Sequence, residues 1–411
     1  MVLTPEKSPL LEQVRYAKLT GKYPLYRQIE QAHGPEVIVD GKKMVMVGSN
    51  DYLGLASDPR VIEAATIALQ RFGTGAGGSR VLCGNLSLHH ELETRIAAFL
   101  NKRWAVLYTT GFMANHGVIS SLAGPGDILL CDRDCHASIF EGCMMSRAKI
   151  VTYAHNDFDR AAKKLQTIMD AHENPRVFLL TEGVFSMSGQ VAHLGELHRL
   201  KAIAPKLVIL LDDAHGFGVL GQGHGTAHAF GCTDLIDIIT GTFSKALASI
   251  GGFVATDDED LKDYLLHQSR TLLFSAGLPA SNTAAALKCL DIIESEPERI
   301  EQLMVTADQA RASLQALGFE ANGEGGPIVP VLIGQEGLAQ DFCMALHRLG
   351  VFAVPAVYPA VSKGKAIIRL SFNSAHTESH LCQVLEAFAK ASQQLGMFSP
   401  SRKRSKRPSF C

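Results

Sequence analysis

The strongest constraint on this chain is an alternation. From His89 to Thr242 segments of helical spacing alternate with short apolar runs: HHELETRIAAFL precedes WAVLYTT, ANHGVISSLA precedes DILLCD, and the pattern continues through KIVTYAHN, RVFLLTEG, LVILLDDAHG and LIDIITGT. Runs rich in Val, Ile and Leu, without polar alternation, read as strands buried on both faces. The intervening helices must then cover that sheet, which predicts an α/β chain with a mostly parallel sheet. In such sheets ligands bind beyond the carboxyl ends of the strands, so the residues just after each apolar run are the candidate site.

The flanks carry different patterns. Residues up to about His33 read as a helical arm, and EVIVDGKKMVMV as a strand pair turning at Asp40 and Gly41. Pro59 to Phe72 has helical spacing, which GTGAGGSR then breaks with Gly73, Gly75, Gly77 and Gly78. That segment matches the dinucleotide pattern GxGxxG, but the pattern needs a preceding strand and a helix stands there, so it reads as a loop. Beyond about Ala276 a long helical stretch leads to a second region. There IVPVLIG and AIIRLSF read as strands, and Phe342 to Leu349 and Leu381 to Ser392 as helices. The expected organisation is an arm and strand pair over 1–55, a large cofactor-binding domain over 56–276, a smaller C-terminal α/β domain over 277–398, and a basic disordered tail over 399–411. In the tail, Arg402, Lys403, Arg404, Lys406 and Arg407 form a charge run, read first as solvated and, alternatively, as a weak contact for an anionic membrane surface.

Composition excludes several classes. With 411 residues, 46% of them apolar, a substantial core can form. A net charge of −2 supplies no global field for nucleic acid or an anionic membrane. Nine cysteines, odd in number and scattered, fit a reducing compartment better than a disulfide framework. The first residues lack the pattern of a signal peptide. No apolar run reaches the roughly 18 to 20 residues that span a bilayer. A soluble cytoplasmic protein is expected.

Two residues at run ends point to chemistry. The run Leu207 to Leu211 delivers Asp212 and His215 into a turn, and a second run, Leu235 to Ile239, leads to Lys245 in GTFSKALASIGGF. An enclosed lysine with a lowered pKa can form an imine and exchange protons with a substrate carbon. A carboxylate bonded to a pyridine nitrogen keeps that nitrogen protonated, the condition for pyridoxal phosphate to act as an electron sink. Asp212 and Lys245 together predict a pyridoxal phosphate enzyme. Further segments fall where such a site needs them. Gly111 and Phe112 stand between a strand and a helix start, where backbone amides and the helix dipole can hold a phosphate. His136 offers a flat ring, Ser186 follows another strand end, and Arg369 is a planar cation suited to an amino-acid carboxylate. Other readings of these residues are weaker. Cys131, Cys135 and Cys143 beside His136 lack the paired spacing of a zinc site, so no metal is expected. Ser186, His215 and Asp212 lack a GxSxG elbow. His155, in HND, reads as a turn or core histidine and Met187 as packing.

The motifs SNDYLGL, GSR with LH and ELE, GFMAN, HAS, HND, EGVFSMSG, DDAHGFGVLG, GTFSK and IRLS, in this order from about Val47 to Phe388, resemble the α-oxoamine synthases, pyridoxal phosphate enzymes of fold type I. The resemblance implies that Lys245 forms the imine with the cofactor, Asp212 pairs with the pyridine nitrogen, His136 stacks on the ring and His215 contacts the phenolic oxygen. It implies further that Gly111 and Phe112 bind phosphate, that Ser186 and Thr242 complete the shell, and that Arg369 holds the amino-acid carboxylate. Asn50 and Tyr52 are then near active sites built at the interface of a homodimer. The implied activity is condensation of an amino acid with an acyl-CoA. GTFSKALASIGGF and GSRVLCGNLSLHHELE look most like the members that join L-serine to palmitoyl-CoA, the bacterial serine palmitoyltransferases. The 8-amino-7-oxononanoate synthases are an alternative, although Ala360 in YPAVS departs from their PPTVP segment. VYPAVSKGKA keeps open the glycine-using 2-amino-3-ketobutyrate CoA ligases, and AIIRLSFNS the long-chain α-aminoketone signal synthases. A non-catalytic partner subunit is the reading from another class; such relatives commonly lack the lysine that is present here as Lys245.

Overall fold

The structure, a computed structural model, describes residues 8–397; the basic run Arg402 to Arg407 lies outside the described residues. A helix, Pro9–Leu19, precedes three strands, β1 (Gln31–His33), β2 (Glu36–Val39) and β3 (Lys42–Met46). β2 and β3 pair antiparallel through a turn at Asp40 and Gly41, both at positive φ (51° and 67°), which matches the twist of a tight hairpin.

The large sheet holds β4 (Trp104–Tyr108), β5 (Ile128–Asp132), β6 (Lys149–Tyr153), β7 (Val177–Glu182), β8 (Val208–Asp212), β9 (Ile238–Thr242) and β10 (Gly252–Thr256), in the order β4-β10-β9-β8-β7-β5-β6. β9, β8, β7, β5 and β6 are parallel neighbours. Every residue of β5 (ILLCD) and β7 (VFLLTE) is buried, because helices cover both faces. The helix Phe158–Ala171 shows how a cover attaches. The Asp157 carboxylate accepts the Arg160 amide at 2.8 Å and caps the start, and Phe158, Ala161, Ala162, Leu165 and Ile168 form the buried stripe.

The alternation did not reveal β10, which pairs antiparallel with both β4 and β9. The run Leu235 to Ile239 also straddles two elements: Leu235 ends a 3-10 turn, Thr233–Leu235, and the strand begins only at Ile238, where the backbone meets Leu210 of β8. Apolar character there reflects packing on both sides of a turn, which periodicity cannot separate. Between β9 and β10 the chain reverses. Gly251 takes φ +137°, a conformation that excludes most side chains, and its carbonyl accepts the Phe243 amide at 3.0 Å. The reversal leaves Lys245 in a turn three residues past the strand.

The C-terminal region forms a sheet of order β11-β12-β15-β14, from β11 (Glu320–Ala321), β12 (Ile328–Gly334), β14 (Val354–Ala356) and β15 (Ala366–Ser371). The helices Glu336–Arg348 and Glu378–Gln394 bury Phe342 and Phe388 against it, their rings 5.2 Å apart. A two-residue strand, β13 (Val351–Phe352), pairs parallel with β3, so the N-terminal strands and the C-terminal region share a sheet. Ser371 also donates its amide to the Val47 carbonyl at 2.8 Å. The segment Ser49–Tyr52 is thereby delivered to the end of β15.

Candidate active site

The carboxyl ends of β7, β8 and β9 open into a cavity of about 290 Å³. Glu182 and Asp212 are paired positions of β7 and β8, and Asp212 is paired with Thr240 of β9. The helices Gly111–Leu122 and Ala137–Ser146 start at the cavity, and Lys245 reaches it from the turn after β9.

Asp212 is buried, and each of its carboxylate oxygens accepts one hydrogen bond. Its Oδ1 accepts the Ala214 amide at 3.0 Å, and its Oδ2 accepts the Asn115 side-chain amide at 2.6 Å. Asn115 is itself fixed. It donates to Ser138 Oγ at 2.9 Å and its Oδ1 accepts the Thr240 hydroxyl at 2.6 Å. Ser138 in turn meets His136 Nδ1 at 2.8 Å, so one hydrogen-bonded chain links Asp212 to the His136 ring. The His136 amide donates to Glu182 Oε1 at 2.5 Å, and Phe112 stands edge-on to the ring with centroids 6.3 Å apart.

Burial lowers the pKa of Lys245, opposed by Asp212 and Glu182 and assisted by Arg369. Burial likewise lowers His136 and holds His215 well below the usual imidazole range. His215 Nδ1 lies 2.6 Å from the hydroxyl of Tyr52, whose own ionisation burial pushes up. Arg369, midway along β15, gathers three segments: it donates to the Ser186 carbonyl at 2.7 Å, to Asn50 Oδ1 at 3.0 Å and to Ser371 Oγ at 2.9 Å. Among the described residues no carboxylate pairs with its guanidinium. Ser186 enters this network through its carbonyl, and Thr242 bonds to Ser244 Oγ at 2.8 Å and to the Gly251 carbonyl at 3.0 Å.

Gly111 closes the opposite end. A Cβ there would lie 2.7 Å from the Thr242 Cβ, so only glycine lets the helix start sit against β9. Thr110 caps this helix by accepting the Met113 amide at 3.1 Å, and its carbonyl accepts that of Ala114. The amides of Gly111 and Phe112 have no acceptor within the helix. An amide cradle at one end, a carboxylate at the other and an amine between them fit the phosphate, ring nitrogen and aldehyde of pyridoxal phosphate.

All the expected site residues gather around this cavity or the Arg369 network beside it. Asn115, Ser138 and Glu182 are additions. Asn115 and Ser138 lie inside GFMAN and HAS, yet a polar residue within a motif does not disclose whom it bonds. Asp213, beside Asp212, faces away from the cavity: it accepts the Thr226 amide at 2.7 Å and hydroxyl at 2.6 Å, and burial pushes its carboxyl up to about 7. His155 is held by Asp132 Oδ1 at 3.3 Å and Ser188 Oγ at 3.1 Å, as a turn histidine.

The model of the aminotransferase class I and II family matches residues 42–388. A serine palmitoyltransferase of Sphingobacterium spiritivorum is 40% identical over 93% of this chain and 94% of its own length. An 8-amino-7-oxononanoate synthase of Thermoanaerobacter pseudethanolicus is 38% identical over 94% of this chain and 97% of its own. A solved serine palmitoyltransferase with pyridoxal phosphate as internal aldimine superposes with a TM-score of 0.90 at 32% identity, covering 97% of this chain and 100% of that one.

Proposed function

The chain belongs to the α-oxoamine synthases, pyridoxal phosphate-dependent acyltransferases within the class I and II aminotransferase family, and on that premise we propose that it joins L-serine to palmitoyl-CoA, releasing CoA and carbon dioxide, to give 3-ketodihydrosphingosine. The observation carrying this reading is the double similarity to serine palmitoyltransferases, 40% in sequence and a TM-score of 0.90 in structure. The 38% identity to an 8-amino-7-oxononanoate synthase favours a second reading, alanine with a pimeloyl thioester.

Pyridoxal phosphate, when bound, supplies the sink for electrons freed at the amino acid's Cα. The residues divide the remaining work. The Gly111 and Phe112 amides would hold the phosphate, assisted by Thr242, while the Ser186 carbonyl fixes Arg369. Asp212 would keep the ring nitrogen protonated, and His136 would form the wall against the ring. The Tyr52 hydroxyl lies 2.6 Å from His215 Nδ1; with that hydroxyl as the donor, the His215 proton would sit on Nε2, available to the phenolic oxygen. Arg369, with Asn50 and Tyr52 beside it, binds the serine carboxylate. Lys245, whose pKa burial lowers, would anchor the cofactor, remove the Cα proton and return one after the acyl chain is joined. Each methylene removed from water contributes about 0.8 kcal/mol, so a long acyl chain offers ample discrimination over a short one.

The enzyme acts as a homodimer. Val81, Leu82 and Phe274 are 60%, 82% and 77% exposed, and an isolated bridge between Ser79 and Ala276 holds their segments side by side. No helix among the described residues is long and apolar enough to cross a membrane. We place the protein in the cytoplasm, with Arg402 to Arg407 read as solvated and, alternatively, as a weak contact for the membrane's inner face.

Free CoA, followed with a thiol reagent, tests the reading across serine, glycine, alanine and threonine against acetyl-, pimeloyl- and palmitoyl-CoA. Release with serine and palmitoyl-CoA, abolished by Lys245→Ala, is expected. Release confined to alanine and pimeloyl-CoA transfers the protein to the second reading.

A further inference from the structure

β7 and β8 set two buried carboxylates, Glu182 and Asp212, side by side at paired positions, both facing the cavity. Two like charges in a site shielded from water repel strongly, and retaining one proton between them relieves the repulsion. The donors around the pair decide where that proton sits. Asp212 receives Asn115 at 2.6 Å and the Ala214 amide at 3.0 Å. Asn115 cannot turn away, because its Oδ1 is held by the Thr240 hydroxyl. Among the described residues, Glu182 receives the His136 amide alone. The ionisable groups around Glu182 include Asp132 of β5, Cys135 and His136 of the turn after it, Asp212 of β8 and Lys245 of the turn after β9, so that two carboxyl groups stand against one amine.

We propose that Glu182 is a positioning residue that holds the proton of this pair: as a neutral carboxylic acid it anchors the His136 amide and leaves Asp212 as the single anion facing the pyridine nitrogen. Burial, and after it Asp212, push the Glu182 carboxyl well above the usual range, in the same direction. The proposal rests on Asp212 being the partner of the ring nitrogen. It adds a role for the neighbouring strand: the His136 wall and the charge of Asp212 are set by one side chain that need not touch the substrate.

Three variants separate the proposal from its premise. Glu182→Gln is neutral, nearly the same shape, and able to accept the His136 amide. The holoenzyme of this variant is expected to keep the pH midpoint of its visible absorbance, and its apoprotein to bind pyridoxal phosphate within about twofold of the parent. Glu182→Ala removes the anchor and is expected to weaken cofactor binding by about tenfold. In the infrared, the difference between parent and Glu182→Gln apoproteins near neutral pH should show a protonated-carboxyl band, a readout that cancels the contribution of Asp213 and is independent of cofactor. A midpoint moved by about one pH unit in Glu182→Gln would mean that Glu182 carries charge, and would overturn the proposal. So would the absence of the infrared band, or unchanged cofactor affinity in folded Glu182→Ala. Asp212→Asn tests the premise by itself: if it binds cofactor with the parent's affinity and spectrum, the ring-nitrogen assignment fails whatever Glu182 does.

Discussion

Lys245 reacts with an aldehyde only as a neutral amine, and its surroundings favour that form. Burial lowers its pKa, so it sheds its proton at a lower pH than a free lysine. Capture of pyridoxal phosphate by the apoprotein should accelerate with rising pH and level off below the ordinary lysine value of about 10.4. The rate at which the visible band appears across a pH series reports this; a plateau at or above that value would contradict it. Arg369 makes the complementary prediction. Arg369→Lys keeps the charge but loses the fork that reaches Ser186, Asn50 and Ser371 at once. Losing one charge-assisted hydrogen bond of about 1.5 kcal/mol should raise the KM for the amino acid about tenfold, with a smaller effect on kcat in steady-state assays. Both residues were legible in the sequence because their chemistry is rare at strand ends and in strands. Asn115 and Glu182 were not, because their part depends on which atoms lie within 3 Å of them.

At the scale of elements, helix starts and strand ends hold the site, and small errors there propagate. Gly111→Ala would place a Cβ 2.7 Å from Thr242, moving the helix start off β9. With overpacking of about 1–3 kcal/mol at the proposed phosphate cradle, cofactor affinity measured by titration of the apoprotein should fall by tenfold or more. The helix Pro59–Phe72 depends on Asp58, whose carboxylate accepts the Arg60 amide at 3.0 Å and pairs with Arg299 of the helix Glu298–Ala316. Asp58→Ala should cost at least about 1 kcal/mol in urea unfolding, from the lost cap alone. His376 joins ends of the chain distant in sequence. Its ring accepts the Asn373 amide at 2.9 Å and reaches the Met46 carbonyl at 3.1 Å, and burial holds its pKa down at about 4. The unfolded chain takes up this proton first, near the ordinary value of about 6.5, so its contribution is complete above that pH and is lost as pH falls toward about 4. The fall in Tm over that window should be shallower in His376→Gln than in the parent.

For the whole molecule, the exposed set Leu82 and Phe274 makes association measurable. Light scattering should give twice the mass of one chain, and Leu82→Asp with Phe274→Asp should halve it and reduce CoA release. A parent that is monomeric and fully active would remove the homodimer from the proposal. The sequence by itself determined the α/β class, the mostly parallel core and the dependence on pyridoxal phosphate, because strand burial and side-chain reactivity are properties of short segments. Only the tertiary structure decided that β10 runs against its neighbours, that β3 joins β13 with Val45 paired to Val351, and that Asn50 and Ser186 converge on Arg369. Those contacts join segments far apart in the chain, and their geometry depends on how the sheets pack, which no local spacing of residues specifies.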